Sequence, residues 1–389
     1  MALSVTYLDN AATSWPKPPQ VADAMRDFLT EVGANPGRAG HRLANDAARV
    51  VFRARQAVAS LLGADDPMRV VFGANATFAL NLALRGLLRP GRHVVATSME
   101  HNSVMRPLRA LEADGVRVTV VPCTPEGALD PAAIEAALRP ETELIVMTHA
   151  SNVVGTILPV ADAAAVARRH GALLLVDGAQ TAGALPFSIE ELGVDLFAFT
   201  GHKSLYGPTG TGGLVVGERV DLPDLEPLVR GGTGSRSEAE EQPEFLPDRY
   251  ESGTVNAVGL AGLAAGIEWV RERGVGAIRA RGVELTEALI GGLREIPGVT
   301  VCGTGEARRQ MPTVSFRLRG VEPGELGRRL DDEFGVAARV GLHCSPAAHR
   351  TMGTYPIGTV RLAMAAFSTM RDVETATGAV GELAREAKA

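Results

Sequence analysis

The sequence predicts an α/β protein, with a mostly parallel seven-stranded sheet in a large domain and a smaller α+β domain at the C-terminal end. Three observations lead there. Seven short β-rich runs lie between residues 69 and 217, most of them apolar on consecutive residues, as in strands covered on both faces by helices. Helical patterns alternate with these runs, the order that builds a parallel sheet. After about residue 255 the texture changes to long helical stretches with only two strand-like pieces.

In chain order, the strands are expected at RVVF (69–72), HVVAT (93–97), RVTVV (117–121), ELIVMTH (143–149), ALLLVD (172–177), LFAFT (196–200) and GGLVVG (212–217). Between them ATFALNLALRGLL (76–88) and VADAAAVARRHG (160–171) carry helical patterns, the second closed by a glycine. The segment 231–254 is polar and rich in Gly and Pro, which marks a long loop. Helices are expected at 256–273 and 277–295, strands at 298–303 and 312–318, and further helices at 323–333 and 371–387. The divisions that follow are an N-terminal segment, 1–14, packing with the small domain, then a large domain, 15–255, and a small domain, 256–389.

Of the 389 residues, 46% are hydrophobic and 22% charged, enough for a real core. Acids outnumber bases 45 to 39, and a net charge of −6 argues against nucleic acid or an anionic membrane as partner. Aromatics at 4% leave few platforms for stacking on single strands. Three scattered cysteines without a CxxC indicate neither a zinc knuckle nor a disulfide framework. With no basic-then-apolar leader in MALSVTYLDNAATS and no apolar run long enough to cross a bilayer, the expected location is the cytoplasm.

Four stretches carry titratable groups where sheets of this kind bind ligands. LLLVDGAQTAG (173–183) ends a buried strand in Asp177, at the ligand edge of a parallel sheet or as a helix cap. LFAFTGHKSLYGPTGTGG (196–213) runs a buried strand into Lys203. A lysine there is either an ordinary turn residue or a desolvated amine able to form a Schiff base. Together, Asp177 and Lys203 suggest pyridoxal 5'-phosphate (PLP), which needs an amine for its aldehyde and a carboxylate for its ring nitrogen. FGANATFALNLAL (72–84) offers a phosphate cradle around Ala76 and Thr77, where Thr77 is otherwise a plain N-cap. In SMEHNSVMRP (98–107), His101 follows a strand end, exposed or turned toward the same edge as a proton shuttle. Lastly, ARVGLHCSPAAHR (338–350) sets Cys344 in a loop between two histidines. Cys123 and Cys302 read as packing residues, and Cys344 as a reactive thiol or an inert one.

The chain resembles, nearly end to end, the cysteine desulfurases of the class V aminotransferase family, PLP enzymes of fold type I. The resemblance runs through YLDNAATS (7–14), NPGRAGHRL (35–43), MEHNS (99–103), SNVVGT (151–156), VDGAQ (176–180), TGHKSLYGPTGTGG (200–213), RYESGTVN (249–256), GLHCSPAAH (341–349) and TVRLAMAAFST (359–369). It implies Lys203 as the Schiff-base lysine, Asp177 as partner of the ring nitrogen and Gln180 as partner of the ring hydroxyl. His101 would stack on the ring, while Thr77, Thr200 and His202 would hold the phosphate. Thr254 would reach the phosphate of the other subunit, implying a homodimer. Asn152 and Arg361 would hold the substrate carboxylate, with His41 at a further active-site position, and Cys344 would accept sulfur. Three departures stand out: Leu342 where the family often has a second histidine, Ala76 where a hydroxyl is common, and a short loop between Arg339 and Arg361, as in the subgroup that relies on a separate sulfur acceptor.

The function so implied converts L-cysteine to L-alanine, with sulfur captured as a persulfide on Cys344 and passed to an acceptor protein or thiol. His343 or Arg339 would favour the thiolate. Selenocysteine lyase or another PLP-dependent β-lyase would use the same lysine and aspartate. A thiol sulfur carrier or redox sensor without PLP would need only Cys344 and leave the other residues unexplained.

Overall fold

The computed structural model describes residues 5–37 and 40–387. Arg38 and Ala39 of the 35–43 stretch, and residues 1–4 of the N-terminal segment, lie outside the described residues.

Thirteen strands run through the described residues: β1 (Thr6–Tyr7), β2 (Val70–Gly73), β3 (His93–Thr97), β4 (Arg117–Val121), β5 (Thr142–Thr148), β6 (Leu173–Asp177), β7 (Leu196–Thr200), β8 (Gly212–Val216), β9 (Val299–Cys302), β10 (Thr313–Leu318), β11 (Val336–Ala337), β12 (Arg339–Gly341) and β13 (Thr359–Ala363). Seven of them form one sheet in the order β2-β8-β7-β6-β5-β3-β4. The run from β7 to β4 is parallel throughout, and β8 lies antiparallel between β2 and β7. The expected sheet is therefore present strand for strand, because a strand buried on both faces cannot hide its apolar run: all five residues of β7 are buried.

This topology gathers one edge. β5, β6 and β7 end side by side, with Thr148 opposite Asp177 and Asp177 opposite Ala198. β8 begins where β7 ends, Thr200 facing Gly212, and β2 ends there too, Gly73 facing Gly212. Gly212 has no room for a side chain, since a Cβ would stand 2.7 Å from the Asn75 Cα. The glycine lets the turn before helix Ala76–Leu87 close over the strand ends.

A second, antiparallel sheet, β12-β13-β10-β9, belongs to the smaller C-terminal domain. Its core joins Leu285, Leu289, Phe316, Leu330, Leu362 and Val380 with Leu8 from the N-terminal segment. Helix Ala257–Arg273 instead buries Leu260, Leu263 and Ile267 in the core that holds Val58 and Phe199. The N-terminal segment touches both bodies. Thr6 and Tyr7 pair with Val336 and Ala337, and Asp9 bridges to Ala363. Farther on, Thr13 Oγ1 donates to the His202 carbonyl at 3.0 Å and Ser14 Oγ to that of Lys203 at 2.7 Å.

Candidate active site

A cleft of about 230 Å³ opens at the gathered strand ends. Asp177, the last residue of β6, is 5% exposed and lines it. Its Oδ1 accepts a hydrogen bond from the Ala179 N–H at 3.0 Å, and turns rather than a helix follow, so it caps no helix. Burial raises its pKa, and the nearby Lys203 ammonium works against that rise.

Lys203 stands three residues past β7, in the cleft wall. Desolvation brings its pKa down to about 8, with Asp177 opposing the shift. The lysine is thus a ready source of neutral amine near physiological pH.

Beside it, Thr200 Oγ1 and His202 Nδ1 are buried without a hydrogen-bond partner. Across the cleft, helix Ala76–Leu87 begins. Its cap is Asn75, whose side chain accepts from the Phe78 N–H at 3.0 Å, so Thr77 is a residue of the first turn rather than the cap. The opening N–H groups of a helix have no partner within it and attract anions. The orphaned hydroxyl, the orphaned imidazole nitrogen and the helix start therefore converge on a place for a phosphate. The asparagine before a helical pattern was the available signal for Asn75.

His101 caps helix Asn102–Ala113. Its Nδ1 accepts from the Ser103 N–H at 3.1 Å and lies 2.6 Å from Ser103 Oγ. A backbone N–H can only donate, so the ring proton sits on Nε2. Burial, reinforced by Lys203 and Arg339, lowers its pKa to about 4, and the ring is neutral at pH 7. Gln180 also lines the cleft and donates through Nε2 to the Ala11 carbonyl at 3.1 Å.

The opposite wall comes from the C-terminal domain. Arg361, on β13, is 1% exposed. Its Nη1 donates to the Asn152 carbonyl at 2.8 Å and its Nη2 to Asp9 Oδ1 at 2.7 Å, while Nε is buried and unpartnered. Asn152 Nδ2 donates to the His343 carbonyl at 2.8 Å, and Ser345 Oγ donates to Asn152 Oδ1 at 2.7 Å. Asn152 thus clamps the loop on both sides of Cys344. The clamp holds a strained backbone, because His343 (φ 47°) and Cys344 (φ 58°) both lie in the left-handed region. Cys344 is exposed, and its carbonyl accepts from the Asn102 N–H at 2.8 Å. The only hydrogen-bond contact of its sulfur among the described residues is Arg339 Nη2 at 3.7 Å.

One expectation is corrected. His343 does not serve the thiol: it is 4% exposed, and its Nε2 meets Thr359 Oγ1 at 2.9 Å. Burial, with Arg361 and His349 close by, lowers its pKa to about 2. The paired left-handed residues send its ring into the core and the cysteine outward.

Two expected site residues lie away from this cleft. His41 is exposed and caps helix Arg42–Leu62 through Nδ1, at 3.2 Å from the Ala44 N–H. Thr254 is exposed in a separate groove of about 500 Å³, beside Gly234 and Glu251. Residues that sequence reasoning did not single out include Asn75, Ser103 and Thr148 in the cleft wall and Asp9 behind Arg361. Glu100 is another: fully buried, its Oε1 accepts from the Thr148 N–H at 2.9 Å and from Thr97 Oγ1 at 2.5 Å, and its Oε2 is unpartnered.

A parallel sheet that brings a buried carboxylate, a desolvated lysine and a helix start to one edge defines the class of pyridoxal-phosphate enzymes of fold type I. Within it, the chain belongs to the class-V aminotransferase family, whose family model matches residues 6–375. It is 34% identical to a probable cysteine desulfurase of Methanothermobacter thermautotrophicus, across 97% of this chain and 94% of that protein. A probable cysteine desulfurase of Xylella fastidiosa is 36% identical, across 95% of this chain and 88% of that one. Among solved structures, the apo cysteine desulfurase of Thermococcus onnurineus superposes with a TM-score of 0.92 at 32% identity, covering 98% of this chain and 95% of that one.

Proposed function

We propose that the chain is a PLP-dependent cysteine desulfurase that converts L-cysteine to L-alanine and takes the sulfur onto Cys344. The observation that carries this is an exposed cysteine, facing a guanidinium, on a loop clamped to Asn152, whose carbonyl in turn holds Arg361.

Lys203 would hold the aldehyde of PLP, Asp177 its ring nitrogen, and Ala76, Thr77, Thr200 and His202 its phosphate, and the bound group would supply an electron sink for carbanion chemistry at the substrate's Cα. Arg361 grips the substrate carboxylate, and Asn152 has a second amide hydrogen to offer it. The Lys203 amine, in the cleft wall and partly neutral near physiological pH, would be the base that removes the proton from Cα. His101, with its proton on Nε2, is a donor toward the cleft, and Gln180 orients the ring hydroxyl. The Cys344 sulfur attacks the substrate sulfur, and the Cβ–S bond breaks with its electron pair left on carbon. Protonation of that carbon gives the methyl of alanine, and Cys344 carries the persulfide. A protein or small thiol then takes the sulfur, for iron–sulfur cluster assembly among other uses.

The exposed Thr254, outside its own subunit's cleft, supports a homodimer in which it reaches the partner's phosphate, and His41 belongs with that face. The separate core of the C-terminal sheet supports a smaller body that carries the cysteine loop, with its boundary after helix Ala257–Arg273 rather than at residue 255, because that helix packs in the large core. No described helix is long and apolar enough to cross a membrane, and we place the protein in the cytoplasm.

The test is turnover of L-cysteine by PLP-loaded wild type and Cys344→Ser with a reductant present, together with mass spectrometry of the intact chain. Alanine formation and a sulfur adduct, both lost in the variant, are expected. Alanine formed equally by the variant would overturn the role of Cys344 and make selenocysteine the substrate to try. No alanine from either protein would overturn the activity.

A further inference from the structure

Arg361 is held from behind by an acid of the same chain. Asp9 approaches it from the N-terminal segment and accepts from Nη2 at 2.7 Å through Oδ1 alone. Arg361 lines the cleft, whereas Asp9 is not among the residues that line it. With Nη1 tied to the Asn152 carbonyl and Nη2 to Asp9, the buried, unpartnered Nε marks the edge of the guanidinium left for a ligand. That edge, Nε with the second hydrogen of Nη2, is one of the two on which a guanidinium binds a carboxylate in fork geometry.

The segment has no freedom to withdraw. The Ala363 N–H donates to the Leu8 carbonyl at 2.6 Å, and the Ala363 carbonyl accepts from the Asn10 N–H at 3.2 Å and from Asn10 Nδ2 at 3.0 Å. Asp9 is therefore stitched along β13, two residues from Arg361 in register. The other titratable groups near the fork include Arg339, directly opposite Arg361 across the β12–β13 pair, Lys203, Cys344, His343 and Tyr7.

We propose that Asp9 is a charge-tuning residue of the substrate site: it fixes the Arg361 guanidinium and offsets part of its charge, so that substrate and product carboxylates bind weakly enough to exchange. This rests on Arg361 being the carboxylate anchor of the desulfurase proposed above. A ligand carboxylate on the Nε edge lies one guanidinium away from Asp9, and two anions roughly 6 Å apart repel by an amount worth about tenfold or more in affinity at a partly screened site. Asp9→Asn keeps an oxygen that accepts from Nη2 and removes only the charge.

The experiment uses PLP-loaded protein and reads ligand binding through the visible absorption of the cofactor. The probes are L-alanine, which carries the carboxylate and cannot lose sulfur, and cysteamine, which lacks the carboxylate. In Asp9→Asn, L-alanine is expected to bind about tenfold more tightly with cysteamine unchanged, and KM for L-cysteine is expected to fall further than kcat changes. Unchanged or weaker L-alanine binding, or an equal shift for cysteamine, would overturn the proposal. Asp9→Ser is also neutral, carries the same expectation and serves if the amide variant does not fold. Arg361→Gln separates the two levels. Weakened L-alanine binding there, with no effect of Asp9→Asn, keeps the anchor and overturns the tuning. No effect of Arg361→Gln overturns both.

Discussion

Arg339, which lines the cleft, holds its Nη2 3.7 Å from the Cys344 sulfur, while the histidine beside the cysteine in sequence turns to Thr359. A guanidinium in that place attracts an anionic sulfur and cannot lose its own charge. Arg339→Leu is expected to lower the rate at which Cys344 takes up sulfur from L-cysteine about tenfold, read by intact mass. His343→Asn, which suits the left-handed backbone, should leave that rate within about twofold. Equal slowing by both variants would return the histidine to the role the sequence suggested.

Lys203 is expected to react as an amine with a pKa near 8 rather than 10.5. Reconstitution of apoprotein with PLP should quicken as pH rises through about 8 and then level off, because only the neutral amine attacks the aldehyde. Lys203→Ala should lower turnover by about a thousandfold or more and leave no cofactor on the chain after borohydride reduction, as read by intact mass. A second lysine carrying the cofactor would overturn the assignment.

Glu100 gives the fold a pH signature. Burial raises its pKa from 4.5 to about 8, so its contribution to stability is whole below about pH 4.5 and is lost as pH rises toward 8. Glu100→Gln, neutral at every pH, should match wild type in denaturant unfolding near pH 4.5 and exceed it at pH 8 by on the order of 1–3 kcal/mol. An identical pH dependence in the two proteins would show that the carboxyl ionises inside the fold.

The groove beside Thr254 rests on a buried ion pair. Arg55 Nη1 reaches Glu251 Oε1 at 2.7 Å, and the same oxygen accepts from the Phe72 N–H at 2.6 Å. Glu251→Ala would leave a buried guanidinium without its counter-charge, a loss of about 3–5 kcal/mol in unfolding free energy. A loss under about 1 kcal/mol would mean that water reaches the arginine.

What could be read from the sequence follows from where each residue sends its side chain. β3 and β7 stand where their apolar runs lie, and β2 is displaced by one residue, because strands enclosed by helices have no polar face to blur the pattern. Asp177, Lys203 and Cys344 were legible as types of residue in telling places, at strand ends and in a loop. Long-range pairings were not. Asp9 and Arg361 are 352 residues apart, and nothing near either one names the other. Asn152 suggests a carboxylate ligand, yet its present hydrogen bonds go to the cysteine loop. Glu100 reads as an ordinary exposed acid until the turn from β3 folds it under β5.

The ties of residues 6–14 bear on when the enzyme comes into being. Thr6 and Tyr7 leave the ribosome long before their partners Val336 and Ala337, and before Ala363 beyond them. The large sheet has all seven of its strands by residue 216 and can form while synthesis continues. The wall that carries Arg361 and Cys344 closes only after the C-terminal strands emerge and the waiting N-terminal segment joins them. A nascent chain therefore has its large sheet in hand before the wall that carries Arg361 and Cys344 can close, and folding of the larger part precedes chemistry.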